Sequence, residues 1–248
     1  MSVLYGKIYI SKVLETIETA WKTQQDAIET SAKVIADTIK RKDSVFVFGC
    51  SHAGILAEEV FYRTGGLAIL NPILFSGLML NTRPVTMTSK LERLPGLGKI
   101  ILEDNGVKPG DTLIVHSNSG RNTVPVEMAE EARKMGVYVI GFTSLQHSNS
   151  VTSRAPSGKR LFEVCDTVID NCGVPGDAAI TVPGLSEPMG PTSTAVGASI
   201  INSIVIEAVE LLIADGILPP VFMSANLDGG DEHNKKIFEE YADNIFYM

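Results

Sequence analysis

Apolar positions along the chain follow two different periods. From residue 8 to about 41, Ile10, Val13, Leu14, Ile17, Trp21, Ala27, Ile28, Val34, Ile35 and Ile39 recur at steps of three and four. That spacing predicts a long N-terminal helix or helix pair, and Lys40, Arg41 and Lys42 complement the negative end of its dipole. The pattern then becomes short continuous apolar runs. Ser44 to Gly49, Leu67 to Leu70, Thr112 to His116, Val137 to Phe142 and Asp166 to Asp170 read as buried strands. Helical spacing returns between them at Ile55 to Arg63, Ser89 to Glu103 and Val124 to Lys134, the last closed by Gly136. Strands alternating with helices predict βαβ crossovers, hence an α/β fold with a doubly wound parallel sheet covered on both faces.

The rest of the chain frames that core. Thr194 to Ala214 is strongly apolar, but Asn202, Ser203, Glu207 and Glu210 interrupt it, so it reads as a buried helix and no membrane span is expected. Residues 171–194 are rich in Gly, Pro and Thr and predict loop or edge structure. Pro219-Pro220 breaks the chain, and Asn226 to Asn234 predicts a polar loop before a short terminal helix. Such a glycine-rich polar tail is expected to have no core role and to fold over a neighbouring pocket.

Composition narrows the function classes. With 44% hydrophobic and 20% charged residues, 248 residues suffice for one globular domain: core about 31–214, N-terminal extension 1–42, tail 216–248. A net charge of −8 disfavours nucleic acid and anionic membranes as partners, although local donors can still hold a small anion. Cys50, Cys165 and Cys172 form no disulfide framework, and the N-terminus lacks a signal-peptide pattern, so a cytoplasmic location is expected. Neither G-x-G-x-x-G nor G-x-x-x-x-G-K-[ST] occurs, and no His pair has ligand spacing. No cofactor and no metal are expected.

Two loops have the position and composition for chemistry. Ligands of open parallel sheets sit beyond the carboxyl ends of the strands, where strand order reverses. Gly49-Cys-Ser-His-Ala-Gly54 follows the first strand, and Ser117-Asn-Ser-Gly-Arg-Asn122 follows the third. The second loop leads into a helix that Asn122 or Thr123 can cap, so unpaired amides, hydroxyls and the helix dipole predict an anion site. His116 reads as a satisfied core histidine, and His147 as part of a helix start.

At these residues the chain resembles a family. Ser117 to Asn122 between an apolar strand and an Ala-rich helix looks like the signature of the SIS (sugar isomerase) fold, Gly49 to Gly54 like its first glycine loop, and Pro191-Thr-Ser-Thr194 like the opening of its last core helix. Within that superfamily the chain is most similar to the UPF0309 group, on the tail Pro220-Val-Phe-Met-Ser-Ala-Asn-Leu-Asp-Gly-Gly-Asp-Glu-His-Asn234. The resemblance implies a five-stranded parallel sheet, a homodimer or homotetramer, and a phosphosugar pocket. It implies that Ser117, Ser119 and Asn122 hold phosphate, that Asn118 and Gly120 complete the substrate-binding loop, and that Ser51 and His52 orient the sugar. Proton transfer through an enediolate would fall to Glu58 or Glu59 with His233; another register puts Tyr62 at the acidic position. The reaction implied is aldose–ketose isomerisation of a sugar phosphate. Its rivals are a lactyl-ether lyase on a muramic acid phosphate and a non-catalytic phosphosugar sensor.

Overall fold

The computed structural model describes residues 4–248. The helical N-terminus is a pair, α1 (Tyr5–Thr23) and α2 (Gln25–Lys40), broken at Gln24. There follow β1 (Val45–Gly49), α3 (Ile55–Val60), β2 (Leu70–Pro72), α4 (Thr88–Leu91), α5 (Leu97–Asp104) and β3 (Thr112–His116). The chain continues through α6 (Thr123–Lys134), β4 (Tyr138–Thr143), α7 (Leu145–Asn149), β5 (Thr167–Asp170), α8 (Ser193–Ala214) and α9 (Gly230–Glu240). Five parallel strands form one sheet in the order β2-β1-β3-β4-β5, so strand order reverses between β1 and β3. The doubly wound sheet expected from the sequence is therefore present.

Strand periodicity distributes the core. Val45 and Val47 of β1 join a layer with α2, α3 and α8, whereas Phe46 and Phe48 join the opposite layer with α5 and α6. In β3, Ile114 faces the first layer, and Leu113 and Val115 the second. Both faces are apolar, which is why these strands read as unbroken hydrophobic runs. Helix α8 supplies Val196, Ile200, Ile201 and Ile204 to the first layer, as its reading as a buried helix required.

Three expectations need correction. The second strand begins at Leu70, at the end of the apolar run that predicted it. Leu67 to Leu70 instead folds as a buried turn, with Leu70 N–H donating to the Leu67 carbonyl at 3.3 Å. The helix after β1 stops at Val60, because Phe61 is extended and Tyr62 has φ +43°. The tail does have a core role: Phe222, Ile237 and Ile245 are buried in the first layer, and α9 begins at Gly230, inside the stretch expected to be a loop. Asn71 explains the tail's course. Its side-chain amide donates to the Asn244 carbonyl at 2.9 Å and its side-chain oxygen accepts from Phe246 N–H at 2.8 Å, as a strand backbone would.

Candidate functional site: a crevice between two strand ends

The reversal between β1 and β3 brings the two glycine-containing loops together at the carboxyl edge of the sheet. The first loop is closed on itself. Ala53 N–H donates to the Cys50 carbonyl at 3.0 Å, and a Cβ on Gly49 would lie 2.4 Å from the Ala53 carbonyl oxygen. Only glycine permits that approach. The turn holds Ser51 in the left-handed region, at φ +54°, with His52 exposed beside it.

The second loop makes one internal turn bond, Gly120 N–H to the Ser117 carbonyl at 3.0 Å, and is otherwise braced from outside. Asn118 is the brace: its carbonyl accepts from Ser144 N–H at 3.0 Å and Thr143 Oγ1 at 3.1 Å, and its Oδ1 accepts from Asn171 Nδ2 at 2.8 Å. Gly120 has φ +59°, and a Cβ there would meet Ser148 Oγ at 2.8 Å. Beyond these anchors the backbone N–H groups of Ser119, Arg121, Asn122 and Thr123 donate to no acceptor among the described residues. The hydroxyls of Ser117 and Ser119 are equally uncommitted there, although Ser117 is only 8% exposed. Asn122 occupies the N-cap position of α6 without capping it, because its Oδ1 accepts from Arg154 Nη1 at 2.8 Å.

The candidate acids separate clearly. Glu58 is exposed on a narrow cleft shared with Ser51, Gly54, Leu74 and Met79. Glu59 is committed elsewhere: it pairs with Arg63 and accepts from Asn202 Nδ2 of α8 at 3.1 Å. Tyr62 lies past the end of α3, edge-on to Phe222 at 5.8 Å between ring centres. His233 is not brought to either loop of its own chain. Its Nε2 is 2.9 Å from the Val221 carbonyl, and Val221 bridges to Leu67 just before β2 begins. That is the amino end of the parallel sheet, opposite the crevice.

Four residues that sequence reasoning left without a chemical role, His116, His147, Ser148 and Glu92, lie around the second loop. His116 ends β3 with Nδ1 3.0 Å from the Ala53 carbonyl, while its buried Nε2 has no partner among the described residues. With Nδ1 bonded to a carbonyl it carries the proton, so Nε2 is a lone-pair acceptor, and burial holds the imidazole below its usual pKa. His147 Nδ1 and Ser148 Oγ of α7 are likewise buried without a partner among the described residues. Glu92 follows α4, and its carbonyl accepts from Val124 N–H in the first turn of α6 at 3.0 Å. Burial pushes its carboxyl up, opposed by the Asn122 amide and by the charges of Arg93 and Arg154. No spacing rule marks these residues, since each is defined by contacts distant in sequence. No cluster of three His, Cys, Asp or Glu able to hold a metal occurs among the described residues.

A parallel sheet with order 2-1-3-4-5, a glycine-closed first loop and a hydroxyl-amide loop at the reversal defines a doubly wound α/β protein with a crevice at the carboxyl ends of its strands. The family model described as SIS domain matches residues 8–144. The chain is 48% identical over 244 residues to a UPF0309 protein of Oceanobacillus iheyensis, covering 98% of this chain and 99% of that one. A UPF0309 protein of Shouchella clausii matches with the same identity and coverage. The chain thus belongs to the SIS-domain family, and to its UPF0309 group. Among solved structures, a phosphoheptose isomerase from Francisella tularensis superposes with a TM-score of 0.52 at 15% identity, covering 82% of this chain and 95% of that one. One from Neisseria gonorrhoeae gives 0.51 at 13% identity, covering 84% and 96%. These likenesses confirm the fold.

Proposed function

We propose that the protein binds a sugar phosphate in the crevice between β1 and β3 and interconverts its aldose and ketose forms. The observation that carries the reading is the run of uncommitted amides at Ser119, Arg121, Asn122 and Thr123, turned inward by Gly120 and backed by the Ser117 and Ser119 hydroxyls. Several convergent N–H donors at a helix N-terminus suit a phosphate dianion and have no role in the fold itself. The closed first loop presents Ser51 and His52 toward the sugar. Membership of the SIS-domain family agrees with this class of ligand.

Isomerisation needs a base to remove the proton beside the carbonyl and an acid to return one to the neighbouring carbon. Glu58 is the carboxylate free to act as base; Glu59 is held by Arg63 and Asn202. His233 takes part only from a second copy of the chain, because its own tail holds it at the far end of the sheet.

Thermal unfolding tests the binding step. A sugar phosphate that binds only the native state raises the Tm, and Ser119→Ala removes that rise while changing stability by less than about 0.5 kcal/mol. No shift from any member of a broad phosphosugar panel would sink the proposal.

A further inference from the structure

The arginines of this acidic protein are unevenly paired. Arg41, Arg63, Arg133 and Arg160 each form an ion pair with a carboxylate. Arg83, Arg93, Arg121 and Arg154 form none within 4.0 Å among the described residues. All but Arg83 of this unpaired group lie beside the amino end of α6: Arg154 bonds to Asn122, Arg121 precedes it in the chain, and Arg93 adjoins Glu92, which is fixed to Val124.

Backbone bonds hold them there. Arg154 N–H donates to the Arg121 carbonyl at 2.7 Å, and the Arg154 carbonyl accepts from Thr123 Oγ1 at 3.1 Å. Arg154 Nη1 donates to Asn122 Oδ1 at 2.8 Å. Arg93 arrives with Glu92, whose carbonyl is fixed to α6 by Val124 N–H. Arg121 is turned by bonds from Nε to the Thr152 carbonyl at 2.9 Å and from Nη2 to Thr152 Oγ1 at 3.3 Å. Three guanidinium groups here face one neighbouring carboxyl, that of Glu92, which burial pushes up and the charges of Arg93 and Arg154 pull down. Burial and then the charges of Arg121 and Arg93 depress the Arg154 pKa, so the guanidinium groups sit near enough to repel. Like charges kept together at some cost, in a chain of net charge −8, mark a place prepared for an anion.

The phosphate loop already supplies four backbone amides and two hydroxyls for one phosphate. We propose that Arg93 and Arg154 form a second anion subsite beside it, so that the ligand is a sugar phosphate carrying a second acidic group, a carboxylate or another phosphate. This rests on the reading of Ser117 to Asn122 as the first phosphate site. Planar guanidinium donors suit either acid.

Calorimetric titration compares glucose 6-phosphate with 6-phosphogluconate, which keeps the phosphate and adds a carboxylate, and with fructose 1,6-bisphosphate. At least one doubly acidic ligand is expected to bind about tenfold more tightly than glucose 6-phosphate, with the advantage shrinking as salt is raised. Arg93→Gln, at an exposed position, should erase most of that advantage and leave glucose 6-phosphate binding within about twofold; Arg154→Gln should erase it too. Equal affinity for all three ligands, or an advantage that survives both substitutions, overturns the second subsite while the phosphate site stands. Failure of all three to bind the parent protein overturns the phosphate site itself.

Discussion

The two loops at the crevice begin from the same place, the carboxyl end of a buried strand, and use their backbones in opposite ways. In Gly49 to Gly54 the chain turns back at once, and its glycine lies against the Ala53 carbonyl. Ser117 to Asn122 makes one turn bond of its own, Gly120 N–H to the Ser117 carbonyl, and its other braces come from outside, at Thr143, Ser144 and Asn171. A turn whose glycine lies against its own carbonyl makes a fixed wall. One braced largely by its neighbours leaves the amides of Arg121, Asn122 and Thr123 uncommitted among the described residues. Position at a strand end is common to both loops, and packing against neighbouring backbone is what distinguishes them.

Substitution of the two glycines sharpens this contrast most strongly. Gly49→Ala places a methyl against backbone atoms that have nowhere to move, and should cost about 3 kcal/mol or more, or prevent folding. Gly120→Ala meets side-chain hydroxyls and a left-handed backbone, so it should cost about 1–3 kcal/mol and still fold. If the two variants melt alike, the loops do not differ as described.

The next effect concerns proton transfer. Glu58→Gln should lower solvent deuterium exchange at C2 of the bound sugar phosphate about a hundredfold with an unchanged Tm. Glu59→Gln should keep exchange and lower stability by at most about 1 kcal/mol, since its ion pair with Arg63 is partly exposed. The reverse pattern would transfer the base to Glu59.

The smallest effect lies between the loops, at His116. Its folded pKa lies below the ordinary 6.5, so below that pH the unfolded chain binds a proton more readily than the folded one. Stability is therefore complete above pH 6.5 and falls as the pH drops towards the folded value. His116→Phe should flatten the acid side of a Tm-against-pH curve. A slope identical to that of the parent protein would show that Nε2 gains a proton without cost.

Much of this fold was legible because buried parallel strands leave a compact apolar signature: Thr112 to His116 coincides with β3, and the others except β2 lie within a residue of their runs. The second strand was misplaced because Leu67 to Leu70 is apolar for a different reason, burial in a turn against Val221. In the crevice, the glycines and hydroxyls could be read from local composition. The commitment of Asn118, the free nitrogen of His116 and the arginines around Asn122 could not, since each depends on a partner from another loop. Glu58 and Glu59 are adjacent, and only Asn202 on α8 tells them apart.

The stitching of the tail to Asn71 has a consequence in time. Asn244 also donates to the carbonyl of Lys42, across 202 residues of sequence, and Tyr247 Oη donates to the Ala68 carbonyl at 2.6 Å. The β1–β2 pair is thus finished by residues made long after it. Until they emerge, the β2 edge lacks its cover and is open to pairing with other chains. Contacts this remote in sequence also form late and slowly. A nascent chain halted before Asn244 should bind chaperones and resist compaction, even with every strand of the sheet already made.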